Sequence, residues 1–237
     1  MFNKIKINKH MKKVAIFDID GTIFRSSLLI EITEALIQEG LFPKEAKNVY
    51  AKAYEDWANR KDSYDKYIGA VIKAFEENIK GIKYNDFLRI AKKVIAFHKN
   101  RVYRYARDLV KKLKKKNYYL LAISNSPKSI LDEFCKHLGF NKVYGRLYEF
   151  GKNKRFTGKV LYDELIEDKA KILKRAVEKE NLTLKDSIGV GDSESDIAFL
   201  KLVEKPICFN PNSKLYQHAK LAKWKIVVER KDVIYFF

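Results

Sequence analysis

The stretch Val14-Ala15-Ile16-Phe17-Asp18-Ile19-Asp20-Gly21-Thr22 decides how the rest of this sequence is interpreted. Its first four residues are apolar and rich in β-branched side chains, a run too short for a helix and typical of a buried central strand. Side chains alternate along an extended backbone, so Asp18 and Asp20 project to one side and Ile19 to the other. Two neighbouring carboxylates repel each other unless a cation or a shared proton compensates them. The stretch therefore predicts a functional site at the end of a buried strand.

Strands and helices alternate along most of the remaining chain. We predict strands at 14–17, 118–123, 187–190, 206–209 and, as the last, 226–228, with a hairpin formed by 146–150 and 155–161. We predict helices at 26–39, 84–98, 103–116, 128–138, 168–180 and 213–223, and two or three more within 44–79. Loops are predicted at 124–127 and, together with a short helix, at 192–202. The alternation implies an α/β fold with a parallel sheet and helices on both of its faces.

The alternation is interrupted once, between residues 26 and 98, where no strand pattern occurs. This segment predicts an all-helical insertion directly after the first strand. We therefore expect a helical cap domain at 26–99 and a core domain composed of 13–25 and 100–237. Residues 1–12 are predicted to be an N-terminal tail, and Met11 is an alternative start.

Composition limits the class of protein. The chain has 237 residues, of which 46% are hydrophobic, enough for a sizeable core and too many for a disordered chain. No apolar run is long enough to cross a bilayer, and the basic N-terminus lacks the apolar stretch of a signal peptide. Cys135 and Cys208 are too far apart in sequence to form a CxxC motif. These features predict a cytoplasmic protein that does not bind membranes.

The formal net charge of +19 raises the question of a nucleic-acid partner. The lysines are spread over the whole chain, and the densest cluster, 111–116, lies where a predicted helix ends and cations favour the helix dipole. We therefore interpret the charge as a solvated lysine-rich surface and disfavour a nucleic-acid partner.

Polar side chains stand at or near the ends of three predicted strands. Ligands of parallel α/β sheets bind beyond the carboxyl ends of the strands, so these positions are expected to converge. Lys169 opens the helix that leads to the third of these strands. The residues that follow the strands are Asp18 and Asp20, then Ser124, then Asp192 and Asp196.

This arrangement resembles, in order and spacing, the four motifs of the haloacid dehalogenase superfamily. The matching residues are Asp18-Ile19-Asp20-Gly21-Thr22, Ser124, Lys169 and Gly191-Asp192 with Asp196. The resemblance covers the chain from residue 13 and implies a Rossmann-like core. The helical insertion after the first motif is similar to the cap of the phosphoserine-phosphatase-like subfamily, subfamily IB. Dehalogenases proper lack the second aspartate, so Asp20 favours phosphate chemistry.

The resemblance implies a role for each matching residue. Asp18 would be the nucleophile, and Asp20 the general acid and then base. Ser124 and Lys169 would bind the phosphoryl group. One Mg²⁺ ion, which prefers oxygen ligands, would be held by Asp18, the backbone carbonyl of Asp20 and Asp192, with Asp196 orienting the metal shell.

The substrate is less well specified by the sequence. Phosphoserine phosphatases carry an acidic residue shortly after the first motif, where this chain has Ser26 and Ser27, and an arginine in the cap. Arg25 and Arg60 are candidate contacts for an anionic substrate group, although the surroundings of Arg60 do not match the family pattern. We therefore predict a phosphatase of a small phosphorylated metabolite.

Three alternatives remain open at this stage. The first is a phosphoserine phosphatase proper, which the chain resembles in layout. A phosphotransferase that passes the phosphoryl group to an alcohol would share the aspartyl-phosphate chemistry. A basic nucleic-acid-binding protein with a vestigial site is disfavoured by the intact set of catalytic residues and by the lack of a clustered basic and aromatic motif.

Overall fold

The structure, a computed structural model, describes residues 11–166 and 168–237. The predictions made for residues 1–10 lie outside the described residues. The centre of the molecule is one sheet of eight strands. The strands are β1 (Lys12–Phe17), β2 (Tyr119–Pro127), β3 (Lys142–Phe150), β4 (Phe156–Leu161), β5 (Leu182–Gly191), β6 (Lys205–Phe209), β7 (Lys225–Arg230) and β8 (Val233–Phe236).

Ten α-helices and two short 3₁₀ turns lie within the described residues. The helices are α1 (Leu28–Gln38), α2 (Asn48–Ala58), α3 (Tyr64–Ile79), α4 (Tyr84–His98), α5 (Arg104–Lys115), α6 (Lys128–Leu138), α7 (Asp163–Ile166), α8 (Lys169–Glu180), α9 (Ile197–Leu200) and α10 (Ser213–Ala222). The 3₁₀ turns are Lys44–Lys47 and Glu194–Asp196. No helix among the described residues is both long enough and apolar enough to span a bilayer.

The strand order is β4-β3-β2-β1-β5-β6-β7-β8, which places β1 in the middle between β2 and β5. The six strands from β3 to β7 in this order are parallel, whereas the two outer strands pair antiparallel with their neighbours. The predicted α/β class and parallel core are thus confirmed. Because β1, β2 and β5 are adjacent and parallel, their carboxyl ends open at one edge of the sheet.

Two local predictions were wrong. Residues 124–127 were expected to be a loop, but β2 continues through them because Pro127 pairs with Arg146 of β3. The strand at 226–228 was expected to be the last, but β8 follows it after a short turn and pairs with β7. The run Val-Ile-Tyr-Phe of β8 is mostly exposed and shows no alternation of apolar and polar residues, so periodicity could not reveal it.

Both faces of β1 are buried, as its apolar sequence predicts. Ala15 and Phe17 belong to a hydrophobic cluster that also includes residues of α5, α6 and the cap helices. Val14 and Ile16 belong to a second cluster on the opposite face, formed with α8, α9 and α10. The alternation along β1 therefore anchors the strand between two cores, and it fixes the direction in which the following aspartates project.

The helices α1 to α4 form a cap that packs against the β3–β4 hairpin. Phe75 lies at the centre of this contact, with ring centroids 5.7 Å from Phe42, 6.3 Å from Phe87 and 5.2 Å from Tyr148 of β3. The same hydrophobic cluster runs from these rings to the sheet. The cap is therefore held in place by apolar packing onto the core.

We predict that Gly145→Ala destabilises the protein by about 1–3 kcal/mol, the usual cost of overpacking. A Cβ atom at Gly145 would lie 2.9 Å from backbone atoms of Lys128 and Ser126. The free energy of unfolding in urea measures the loss. Gly69→Ala is the matched control: this glycine is exposed in α3 with no atom within 4 Å of the new Cβ, and we expect it to stabilise the helix by about 0.5–1 kcal/mol. Equal effects of the two substitutions would contradict the prediction.

Candidate active site

A buried lysine joins the ends of two strands. The Lys169 ammonium lies 2.7 Å from Asp18 Oδ1 and 2.6 Å from Asp196 Oδ1, and all three side chains are almost completely buried. Asp168 caps α8 by accepting hydrogen bonds from the backbone N–H groups of Ala170 and Lys171, which fixes the first turn that carries the lysine. Burial alone would lower the pKa of Lys169, but the two carboxylates outweigh it and the pKa is raised.

Asp18 follows β1 directly, and its backbone N–H donates to the carbonyl of Val190 in β5. Its Oδ1 accepts from Lys169, while its Oδ2 is buried and has no hydrogen-bond partner among residues 11–166 and 168–237. Burial raises the pKa of Asp18 to about 7, and the charges of Asp196 and Asp20 add to this effect against the opposing charge of Lys169. Asp18 thus has one anchored oxygen and one available oxygen.

Asp20 lies at the N-terminus of α1, where helix N–H groups lack partners within the helix. Its Oδ1 accepts from the N–H of Leu28 at 2.6 Å, and its Oδ2 accepts from the hydroxyls of Ser126, at 2.8 Å, and Ser124. Burial raises the pKa of Asp20 despite these hydrogen bonds. This carboxyl is therefore fixed in position and can carry a proton closer to neutral pH than an ordinary aspartate.

The first motif and the end of β5 are in close contact. Gly21 has a φ of +82°, and a Cβ at this position would lie 2.2 Å from Asp192 Oδ2. The Thr22 hydroxyl donates to Asp192 Oδ1 at 3.2 Å. Only glycine therefore allows the Asp192 carboxylate to approach the first motif so closely.

The residues present fit a hard divalent cation. Carboxylate oxygens of Asp18, Asp192 and Asp196 lie within 4.8 Å of one another. Asp196 is already engaged, because its Oδ1 accepts from Lys169 and its Oδ2 from the N–H groups of Asp192 and Ser193. Burial, together with the charges of Asp18 and Asp196, raises the pKa of Asp192 well above its usual range. A cation beside the free Asp18 oxygen would relieve this repulsion.

Five of the predicted site residues line one cavity of about 750 Å³ between core and cap, namely Asp18, Asp20, Ser124, Lys169 and Asp192. Asp196 lies behind them and holds the loop. Arg25 also lines the cavity, with its guanidinium 5.2 Å over the ring of Tyr103. Arg60 does not line it: this residue is exposed in the turn after α2.

The sequence analysis missed several lining residues. Ser126 bonds Asp20 and also accepts from the N–H of Leu29, and its position two residues after Ser124 on an extended strand could have revealed it. The cap supplies aromatic side chains whose orientation depends on how α2 and α3 pack, which no local pattern specifies. These cap residues are Tyr54, Trp57, Tyr64 and Tyr67.

The model of the haloacid dehalogenase-like hydrolase family matches residues 15–201, which include every motif residue described above. The chain belongs to this family. The predicted resemblance is thereby confirmed, and so is the prediction of a hydrolase.

Relatives and solved structures are similar to the chain over most of its length. A histidinol-phosphatase of Neisseria meningitidis is 26% identical over 92% of this chain and 99% of its own length. A phosphoserine phosphatase of Methanocaldococcus jannaschii is 25% identical, covering 94% of each chain. Among solved structures, phosphoserine phosphatase in its apo form has a TM-score of 0.64 at 21% identity, covering 93% of this chain and 95% of that one. A Bordetella pertussis protein of unknown function has a TM-score of 0.71 at 16% identity, covering 91% and 98%.

In this hydrolase, we predict that Lys169→Met lowers the free energy of unfolding of the metal-free protein by about 3–5 kcal/mol at pH 8, because two buried carboxylates lose their cation. This loss in the free energy of unfolding should be smaller at pH 5 than at pH 8. The pKa of Asp18, already about 7 in the folded protein, lies above that of the unfolded chain and rises further without the lysine. Its ionisation therefore costs stability as the pH rises, and protonation relieves that cost.

Urea unfolding in the presence of a chelator, at pH 5 and pH 8, measures the effect. Lys174→Met is the matched control, since this lysine is exposed on the same helix and its replacement should change stability by less than about 0.5 kcal/mol. A deficit that is equal at both pH values would contradict the electrostatic explanation.

Proposed function

We propose that this hydrolase is a Mg²⁺-dependent phosphatase that hydrolyses a small organic phosphomonoester through an aspartyl-phosphate on Asp18. The observation that carries the proposal is the division of the Asp18 carboxylate, with Oδ1 held by Lys169 and Oδ2 buried without a partner among the described residues. The phosphatase names of the two curated relatives support a small phosphomonoester as substrate. The domain boundaries and the cytoplasmic location remain predictions.

In the first step, an Asp18 oxygen attacks phosphorus, and the bond between phosphorus and the ester oxygen breaks. Lys169 holds the attacking carboxylate in one orientation, so little rotational freedom is lost when it reacts. Asp18 must be ionised to attack, although burial favours its neutral form. A bound Mg²⁺ would supply positive charge that keeps Asp18 ionised and offsets the charge of the phosphoryl oxygens. Asp18 and Asp192 are its proposed side-chain ligands, and the backbone carbonyl of Asp20 is the third proposed ligand from the protein.

Asp20 transfers the proton in both steps. Its raised pKa suits a general acid that protonates the departing ester oxygen, so that an alcohol leaves. In the second step, water attacks phosphorus and releases Asp18, and the proton of that water returns to Asp20. The hydrogen bonds from the N–H of Leu28 and the hydroxyl of Ser126 keep the carboxyl in place between the steps.

The phosphoryl group is bound by Ser124 and Lys169 in this proposal. The Ser124 hydroxyl is nearly fully buried and can turn from Asp20 to a phosphoryl oxygen. Arg25 is exposed at the mouth of the cavity, where it could contact an anionic group on the substrate. Arg60 lies outside this cavity, and we assign it no contact.

We predict that Asp18→Asn abolishes phosphatase activity, with a loss in kcat of roughly a thousandfold or more, because an amide cannot act as the nucleophile. Hydrolysis of 4-nitrophenyl phosphate, a phosphomonoester, measures the loss, and circular dichroism checks the fold. Asp108→Asn removes an exposed acidic group on α5 and should leave activity unchanged. Full activity of Asp18→Asn would refute the nucleophile assignment.

We predict that Asp192→Asn raises the Mg²⁺ concentration needed for half-maximal activity by roughly tenfold or more, since a neutral amide binds a hard cation less well than a carboxylate. A Mg²⁺ titration of phosphate release after treatment with a chelator measures this concentration, with Asp108→Asn again as control. Wild-type activity that persists without any divalent cation would exclude the metal from the mechanism.

A further inference from the structure

Four aromatic side chains of the cap form one surface of the catalytic cavity. We call this surface the aromatic wall and define it as Tyr54, Trp57, Tyr64 and Tyr67. Tyr67 is its centre, with ring centroids 5.3 Å from Tyr54, 5.4 Å from Trp57 and 6.0 Å from Tyr64. The rings of Trp57 and Tyr67 are nearly parallel, at 16° to each other. The wall therefore presents a stacked pair rather than a set of isolated rings.

The wall is not simply part of the cap's own core. Only Tyr67 is buried, whereas Tyr54 is 51% exposed and Tyr64 is 40% exposed. On each helix the two wall residues are three positions apart, so they share one helix face, and both faces meet at the cavity. Large aromatic rings that cluster at an open cavity mark a surface built to cover an apolar group.

Tyr64 brings the wall into the same cavity as the reacting groups. Tyr64 is the first residue of α3, whose Ser63 caps the helix by accepting from the N–H of Lys66. It lines the cavity together with Asp18 and Asp20, and burial and the charges of Asp20 and Asp192 raise the pKa of its hydroxyl. A leaving group whose ester oxygen is at Asp20 would therefore extend along this wall.

Beside the wall, the cavity is lined by apolar side chains and by charged ones, among them Arg25, Asp65 and Arg101. Glu31 is a carboxylate in the cavity that could receive a substrate ammonium, but it is already paired with Arg101 at 2.8 Å and lies 3.1 Å from His98. Apolar side chains from α1 and α3 line the same cavity as the rings. These are Leu29, Ile30, Ile68 and Ile72.

We propose that the aromatic wall selects the leaving group and that the preferred substrate is a phosphomonoester of an alcohol that carries a planar aromatic or heteroaromatic ring. The inference rests on the proposed phosphatase function. A cavity of about 750 Å³ holds such a ring and a phosphoryl group together. The ring stacks on the pair formed by Trp57 and Tyr67, an arrangement that aromatic pairs favour beyond simple burial of area.

The test compares three phosphate esters. Two of them have leaving groups of similar reactivity and size but different shape, and the third has a small charged leaving group. The full chain with Mg²⁺ is assayed with 2-phenylethyl phosphate, 2-cyclohexylethyl phosphate and L-phosphoserine. We expect kcat/KM for the phenyl ester to exceed that for the cyclohexyl ester by about tenfold, because only the planar ring stacks. The phenyl ester should also be preferred to L-phosphoserine.

Variants of the wall show whether it causes the preference. Trp57→Leu should bring the phenyl-to-cyclohexyl ratio of kcat/KM close to one, whereas Trp57→Phe, which keeps a ring, should retain most of it. Phe97→Leu is the matched control, since Phe97 is an exposed cap ring that does not line the cavity, and the ratio should not change. Because each result is a ratio, a general loss of activity does not affect it.

A binding measurement separates this inference from the proposed function. Calorimetry with 3-phenylpropylphosphonate and 3-cyclohexylpropylphosphonate, which cannot be hydrolysed, should give the same preference for the planar ring. Equal affinities and equal kcat/KM values, or a preference for L-phosphoserine, would overturn the inference and leave the phosphatase function intact. Absence of turnover for every ester, with the binding preference retained, would overturn the phosphatase function alone.

Discussion

The buried ion pairs of Lys169 with Asp18 and Asp196 are the constraint on which the rest of the site depends. Three carboxylates from two strand ends are brought within 4.8 Å of one another, and burial alone would drive Asp18 and Asp192 towards their neutral forms. The lysine offsets part of that charge, yet it engages only one oxygen of Asp18. The remaining negative charge is the reason why a divalent cation would bind favourably in a site built in this way, as the proposed function requires.

This arrangement needs the sheet to be rigid. β1 is held between two hydrophobic clusters, so the direction in which Asp18 and Asp20 leave it is fixed by packing on both faces. Gly21 then leaves room for the Asp192 carboxylate, because a Cβ at that position would lie 2.2 Å from its Oδ2. Much of the apolar core therefore serves to keep like charges close together, and buried charge of this kind is tolerated where it has a function.

The sequence predicted the site at the strand ends and the helical nature of the cap, but not which side chains of the cap face the cavity. The positions of Asp18, Ser124 and Asp192 could be predicted because each follows a strand, and parallel strands end at the same edge. Each of these positions is therefore specified by a short stretch of sequence. The aromatic wall is different, since Tyr54 and Tyr67 come from two helices whose mutual packing decides which faces meet. The exposed edge strand β8 escaped prediction for a related reason, because it lacks a buried face that would impose a pattern.

This difference between core and cap has a functional consequence. Phosphoryl transfer requires charges at fixed positions, and the residues that supply them lie on rigid strand ends or on the first turn of α8. In the proposed reaction the leaving group would lie against α2 and α3, which pack on the core through the apolar cluster and carry none of the three clustered carboxylates. Glu31 illustrates the point: its charge is compensated by Arg101 and so does not add to the repulsion among the reacting groups. Under this proposal, substrate selection by the cap and catalysis by the core depend on different residues, so the chemistry of the core would not determine which alcohol is released.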